Sequence, residues 1–274
     1  MMGHHEAATL VGWISIACWI VVYSPQIWTC YSLKSGEGLS VMFIAIWLAG
    51  DLANTIGAIW QGLLPTMILL AVYYSTCDII LLYQVYYYRW LRRTYPERFS
   101  KISPLSETSL LLPPSSATTK PGGPHLLTPL MRQILEFAAA TAFVLVVGVL
   151  AWWFSGSATD ELAEEVWDLK AQIFGWLSAF LYLGSRIPQI AKNKETKCEG
   201  LSLTMFCFSV AGNVTYVLSI LLQGVGFKHL WINASWLLGS GGTIFLDAIV
   251  LLQFFWYREE RGRIRLSDDD EDDV

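Results

Sequence analysis

The chain has 274 residues, of which 54% are hydrophobic, 14% aromatic and only 15% charged, against about 25% charged in an ordinary soluble domain. Its apolar residues fall in runs such as 7–28, 39–61, 133–154 and 231–256, each with at most one or two ionisable groups, and a run of about 20 such residues matches the hydrocarbon core of a bilayer. A soluble two-domain enzyme is thereby excluded, and a multi-span membrane protein is expected. The net charge of −5 is a poor guide to partners, because six acidic residues crowd into 267–274, a run that reads as a solvated tail.

Taken in order, the hydrophobic runs predict seven helices, at 8–29, 39–61, 66–89, 131–155, 170–191, 201–223 and 231–257. The stretch 92–130 carries Pro96, Pro104, Pro113, Pro114, Pro121, Pro124 and Pro129 among Ser, Thr and Gly; it cannot bury a core and reads as a disordered loop. With seven spans, the loops after the first, third, fifth and seventh helices share one side. That side holds fifteen of the basic residues, among them Lys34, Arg89, Arg92, Lys192, Lys197 and Arg258, whereas the other has only Lys170 and Lys228. The positive-inside rule then puts the N-terminus in the lumen and the C-terminus in the cytosol.

The N-terminus has no Lys or Arg ahead of the first apolar span, so that span is expected to be retained rather than cleaved as a signal peptide. Five cysteines, with no CxxC pair, and four histidines without ligand spacing imply no disulfide framework and no metal. No nucleophile elbow or phosphate-binding loop is present, so no cofactor, no catalysis and no nucleic-acid partner are expected. The sequons at Asn213 and Asn233 fall in or beside helices and read as chance matches. Trp28, Trp90, Trp152, Trp153, Trp231 and Trp256, near span ends, read as interfacial anchors.

Self-similarity carries most of the information. Residues 12–90 and 175–258 align: Gly12–Trp13 with Gly175–Trp176, Pro25–Gln26–Ile27 with Pro188–Gln189–Ile190, and Gly38–Leu39–Ser40 with Gly200–Leu201–Ser202. Gly50 matches Gly212, Gln61–Gly62 matches Gln223–Gly224, Asp78 matches Asp247, Gln84 matches Gln253, and Tyr88–Arg89 matches Tyr257–Arg258. Three helices per unit is an odd number, so a fourth is needed for both units to cross in the same direction. The expected architecture is an all-α integral membrane protein with seven transmembrane helices in a 3+1+3 parallel-repeat arrangement of two triple-helix bundles. Its parts are a first repeat at 1–90, a cytosolic linker at 91–130, a linker helix and lumenal loop at 131–169, a second repeat at 170–258 and an acidic tail at 259–274. Parallel repeats of this kind are a transporter feature, with the substrate site near mid-membrane between them.

Proline–glutamine at the cytosolic end of the first helix of each repeat resembles the signature of the PQ-loop family. Within it, Ser185–Arg186–Ile187–Pro188–Gln189–Ile190, Gly50–Asp51–Leu52–Ala53–Asn54 and the segment 237–258 with Asp247 resemble the vacuolar and lysosomal basic amino acid transporters. The resemblance covers both repeats and hardly touches the linker. It implies a seven-helix transporter that moves lysine, arginine or histidine across the vacuolar or lysosomal membrane.

Four ionisable residues lie within spans: Asp51, Asp78, Arg186 and Asp247. A charge at the bilayer centre costs at least about 2.5–3.5 kcal/mol, so such groups face a cavity or a partner. For each aspartate a helix-locking Asp–Arg or Asp–Tyr pair is the alternative to a site. Asp51 is the asymmetric one, since its repeat counterpart is Asn213. It is expected to meet the substrate cation or a coupled proton, with Asn54, Asn213 and Tyr216 as neutral partners. Asp78 and Asp247 occupy equivalent positions, which suits a shared scaffold role as readily as a site. Arg186 is expected as a gate or ion-pair partner, and less readily as a holder of the substrate carboxylate. Three aspartates against one arginine favour a cationic substrate over a sugar.

Pro25 and Pro188 remove a helix hydrogen bond and displace the carbonyls of Val21 and Gly184, giving each first helix either a hinge or an end; with Gln26 and Gln189 they form the expected hinge and gate. Gly239–Ser240–Gly241–Gly242 is expected to allow close helix packing. In the linker, Glu107 precedes Leu111 and Leu112 in the spacing of an acidic–dileucine sorting signal, which a clathrin adaptor would bind. The rival expectation from another class is a seven-helix nutrient sensor or receptor that recruits cytosolic partners; a sugar transporter of the same fold is a third.

Overall fold

A backbone surrounded by lipid must satisfy its own N–H and C=O groups, so the apolar runs have helices as their available form. The computed structural model describes residues 3–60, 65–96, 129–155 and 168–260, and all regular structure among them is helical. The helices are α1 (His4–Leu33), α2 (Val41–Trp60), α3 (Pro65–Thr94), α4 (Pro129–Ser155), α5 (Leu169–Thr196), α6 (Leu203–Gln223), α7 (Phe227–Ile232) and α8 (Ala234–Trp256). By length and composition α1, α6, the segment 137–154 of α4, and α8 with its continuation to Glu260 can each cross a membrane, and α2 offers the shorter apolar stretch Val41–Ile56. The 28 residues of α5 extend about 42 Å at 1.5 Å per residue, which also exceeds a hydrocarbon core of about 30 Å.

Packing follows the repeat. α3 lies against α1 and α2, and α8 lies in the same way against α5 and α6; between the triplets, α1 packs on α6 and α2 on α5. Exchanging the two triplets maps this contact set onto itself. α4 rests on α1 and turns Leu145, Val149, Trp153 and Phe154 outward. The apolar core, with Val22, Leu39, Phe43, Leu201, Met205 and Phe206 almost fully enclosed, occupies part of the space between the triplets.

Two differences from the sequence reading concern ends. Pro25 and Pro188 do not terminate their helices: α1 continues to Leu33 and α5 to Thr196, several residues beyond the expected 29 and 191. At Pro25 the freed Val21 carbonyl accepts from the Ser24 hydroxyl at 2.8 Å, which lets the helix run on without an orphaned acceptor. The last expected helix, 231–257, is two: the short α7 ends at Asn233, whose side chain donates to the His229 carbonyl at 3.0 Å, before α8 begins. The expected dileucine residues Glu107, Leu111 and Leu112 lie outside the described residues.

Candidate functional site

At one end of the bundle the two Gly-Leu-Ser turns face each other, and each is held by the PQ glutamine of the other repeat. Gln26 Nε2 donates to the Gly200 carbonyl at 3.1 Å while Gln26 Oε1 accepts from the Ser202 N–H at 2.7 Å. Gln189 Nε2 donates to the Gly38 carbonyl at 2.9 Å while its Oε1 accepts from the Ser40 N–H at 2.8 Å. Both glutamines are completely buried. The residue types of the turns now have reasons. Ser40 and Ser202 cap α2 and α6 by accepting from the Phe43 and Met205 N–H groups, the preferred chemistry at a helix start. Leu39 and Leu201 enter the core. Gly200 adopts φ 71°, a left-handed conformation that a side chain disfavours, and a Cβ on Gly38 would run into the Glu199 carbonyl oxygen and the Gly200 backbone.

The same end carries the surface charges. Arg89 pairs with Glu37 at 3.6 Å and Lys197 with Glu260 at 2.7 Å; the hydrogen bond that the Lys197 ammonium donates to Glu260 raises its pKa above the ordinary range. Lys197 sits over the Tyr257 ring at 4.6 Å, whereas Lys34, its counterpart in the repeat, sits over Tyr31 at 3.3 Å and lies 6.0 Å from the Tyr88 ring.

Beyond the turns comes an apolar layer in which Phe43 and Phe206 stack at 6.4 Å. Past that layer a cavity of about 560 Å³ opens between the triplets, within the size range of small-ligand sites. Its walls run from the middle of the helices away from the PQ end: Ser15 to Tyr23 of α1, Trp47 to Asn54 of α2, Ala71 and Tyr74 of α3, Phe174 to Arg186 of α5, Asn213 and Tyr216 of α6, and Ser235 to Thr243 of α8. The aspartate, arginine and amides are set in an aromatic lining of Trp19, Trp47, Tyr74 and Trp236.

Asp51 is 3% exposed and spans the repeats. Its Oδ1 accepts from Tyr182 Oη at 2.6 Å and its Oδ2 from Tyr23 Oη at 3.2 Å, while Asn54 Nδ2 donates to the same Tyr182 oxygen at 2.5 Å. Tyr182 reaches that place because Gly50 gives its ring room: a Cβ there would lie 2.8 Å from Tyr182 Cε1. Arg186 forms a second group. Its Nε donates to Asp247 Oδ1 at 3.0 Å, Ser209 Oγ donates to Asp247 Oδ2 at 2.6 Å, and the guanidinium lies 4.8 Å from the Trp47 ring. Asp247 stands behind the cavity wall with both oxygens engaged. Asp78 also stands behind the wall, with Asp51 and Tyr23 as neighbours, but neither of its oxygens has a hydrogen-bond partner among the described residues. Asp78 and Asp247, equivalent in the repeat, thus have unlike surroundings.

Asn213, counterpart of Asp51, turns its amide donor to its own helix, at 3.0 Å from the Ser209 carbonyl. Asp51, Asn54, Asn213, Tyr216 and Arg186 thus share one cavity, whereas Pro25, Gln26, Pro188 and Gln189 belong to the closed end. Tyr23, Tyr182, Ser209 and Trp47 were not singled out from the sequence. The signal was available in the repeat register, which places Tyr23 opposite Arg186 and Trp47 opposite Ser209.

Paired helical repeats with a polar cavity between them, closed at the end that bears their glutamines, define a class: a duplicated membrane protein of the transporter type. The chain belongs to the PQ-loop family, whose "PQ loop repeat" model matches residues 7–67 and 171–229. It is 37% identical to the vacuolar lysine transporter YPQ1 of Saccharomyces cerevisiae, over 91% of this chain and 93% of that one. It is likewise 37% identical to the vacuolar histidine transporter YPQ3 of the same yeast, over 92% of each. To the human lysosomal amino acid transporter 1 homolog it is 33% identical, over 97% of this chain and 87% of the relative. These relatives are transporters, not enzymes.

Proposed function

We propose that the chain is a seven-span, 3+1+3 transporter of the vacuolar or lysosomal membrane that carries the cationic amino acids lysine, arginine and histidine by alternating access. Relatives named for lysine and histidine transport, similar along almost their whole length, support amino acid transport at such a membrane. The observation that carries the cationic reading is the charge balance. Arg186 and Asp247 neutralise each other at 3.0 Å, which leaves Asp51 on the cavity with Asp78 beside it and no basic side chain to balance them among the described residues. Two carboxyl groups side by side away from water repel unless a proton or a cation accompanies them. A lysine, arginine or protonated histidine supplies that cation, and a shared proton takes its place when the cavity is empty. A sugar would satisfy neither.

The PQ glutamines, clamped across the repeats, act as the gate of the cytosolic end, and the prolines beside them as the hinges on which it opens. A monocation crossing about 100 mV gains or loses about 2.3 kcal/mol, so membrane potential alone biases the flux. The test is uptake of radiolabelled lysine, arginine and histidine by proteoliposomes holding the purified chain, with and without a pH gradient. Saturable uptake of at least one, competed by the others and strongly reduced in Asp51→Asn, is expected. Absence of saturable flux for all three overturns the proposal.

A further inference from the structure

Counting two residues back from the proline of each PQ pair gives Tyr23 in the first repeat and Arg186 in the second. The acids these positions serve, Asp78 and Asp247, are equivalent too. In the second repeat the guanidinium neutralises its aspartate and the Ser209 hydroxyl occupies the remaining oxygen. In the first, a phenol stands where the guanidinium would, and it donates to Asp51; an indole, Trp47, stands where the serine would. Asp78 is left fully buried with both oxygens unpartnered among the described residues. A buried ionised carboxylate in that condition is strongly unfavourable. The first repeat therefore calls for a proton or a cation where the second repeat supplies a guanidinium from its own sequence.

The other half of the cavity is the complement. Arg186 engages four of its five N–H groups, with Asp247, the Tyr182 carbonyl, Ser185 and Ser209, and has one left for a ligand. Asn213 places one amide N–H on the Ser209 carbonyl and lines the cavity, where its carbonyl oxygen can accept.

We infer that the exchange of arginine for tyrosine at position 23 polarises the cavity and fixes the pose of the transported amino acid. The side-chain cation lies in the first-repeat half beside Asp51, with Asp78 supplying the charge behind it. The α-carboxylate turns to Arg186 and the α-ammonium to the Asn213 carbonyl. Tyr23 and Asp78 are then specificity determinants: they separate a cationic from a neutral side chain, while Arg186 recognises the carboxylate common to all amino acids. This pose rests on the transport reading above.

The test is equilibrium binding of radiolabelled lysine to the purified full chain, competed by norleucine, which lacks the side-chain ammonium, and by cadaverine, which lacks the carboxylate. Three proteins are compared: the unaltered chain, Asp78→Asn, and Tyr23→Arg, which copies the second repeat's pairing into the first. The unaltered chain is expected to prefer lysine over both competitors. In both variants the advantage over norleucine should shrink by about tenfold or more, the worth of a charged hydrogen-bonded contact. The advantage over cadaverine should persist in Asp78→Asn, because the carboxylate end is untouched; a general loss of structure would erase both preferences together. Where Tyr23→Arg gives no folded protein, the near-isosteric Asp78→Asn decides the matter alone. If no basic amino acid binds the unaltered chain, the transport reading falls and the pose with it. If lysine binds but both ratios survive in the variants, or cadaverine competes as well as lysine, the pose is overturned and the transport reading stands.

Discussion

Arg186 is 1% exposed, and a guanidinium survives in such a place only because its charge and most of its donors are satisfied locally. Asp247 takes the charge, Ser209 and Ser185 take hydrogen bonds, and the Phe43 and Trp47 rings lie at 5.5 and 4.8 Å. Breaking a buried pair by removing one member is strongly destabilising, whereas replacing both members with apolar residues is often neutral. Arg186→Met should therefore lower unfolding stability in detergent by about 3–5 kcal/mol, and Arg186→Met with Asp247→Leu should recover most of that loss. A double variant no more stable than the single one would show that Asp247 is not the residue that Arg186 neutralises. An ion-pair role for Arg186 is legible in the sequence, as any lone arginine among three buried aspartates suggests one. Which aspartate it takes is not legible, because helix periodicity places all of them on inward faces and says nothing of the distances between helices.

At the scale of the element, the helices show how far local signals reach. Their existence follows from hydropathy and basic loop residues, both local properties. Where they end does not: Pro25 invites a stop, yet α1 runs on because the neighbouring Ser24 hydroxyl satisfies the carbonyl that proline frees. The apolar run 231–256 reads as one helix because its hydropathy hides the break at Asn233, although asparagine is a residue favoured at helix starts. The glutamine clamps were hidden for another reason. Their partners are backbone atoms of the opposite repeat, so the motif names the glutamines and is silent about what they hold. The Gly-Leu-Ser turns approach each other closely through their backbones, and they give a direct comparison. A Cβ at Gly38 meets the facing backbone, which cannot yield as a flexible side chain does, while a Cβ at Gly184 meets nothing within 4 Å. Gly38→Ala should destabilise by about 1–3 kcal/mol, the usual cost of overpacking. Gly184→Ala, inside α5, should be neutral or stabilise by about 0.5–1 kcal/mol. Thermal melts of the two purified variants check the difference, and equal melting temperatures would mean that the turns do not meet as described.

For the whole molecule, the proposed alternating access makes the closed PQ end and the cavity beyond it one conformation of a two-sided machine. On the proposed topology the PQ end, where Lys34, Arg89, Lys192 and Lys197 gather, is the cytosolic one under the positive-inside rule. On this assignment the cavity belongs to the lumenal half, and both clamps and the Phe43–Phe206 layer must part before a substrate reaches the cytosol. Ser240 lines the cavity and is partly exposed, so a cysteine there reports which side has access. Of the native thiols, Cys18, Cys30, Cys77 and Cys198 are buried, and only Cys207 is partly exposed, which keeps the background low. In sealed vesicles of known orientation, a membrane-impermeant thiol reagent should label Ser240→Cys from the lumenal side and scarcely from the cytosolic side. Saturating lysine should slow that labelling several-fold by filling the cavity. Adding Gln189→Ala orphans the Ser40 N–H and the Gly38 carbonyl, each at a cost of about 1–3 kcal/mol, and should shift the population toward opening at the PQ end. Cytosolic labelling should then rise while lumenal labelling falls. If the cytosolic reagent already reaches Ser240→Cys as fast as the lumenal one in the protein with both glutamines intact, the PQ clamps are not a gate.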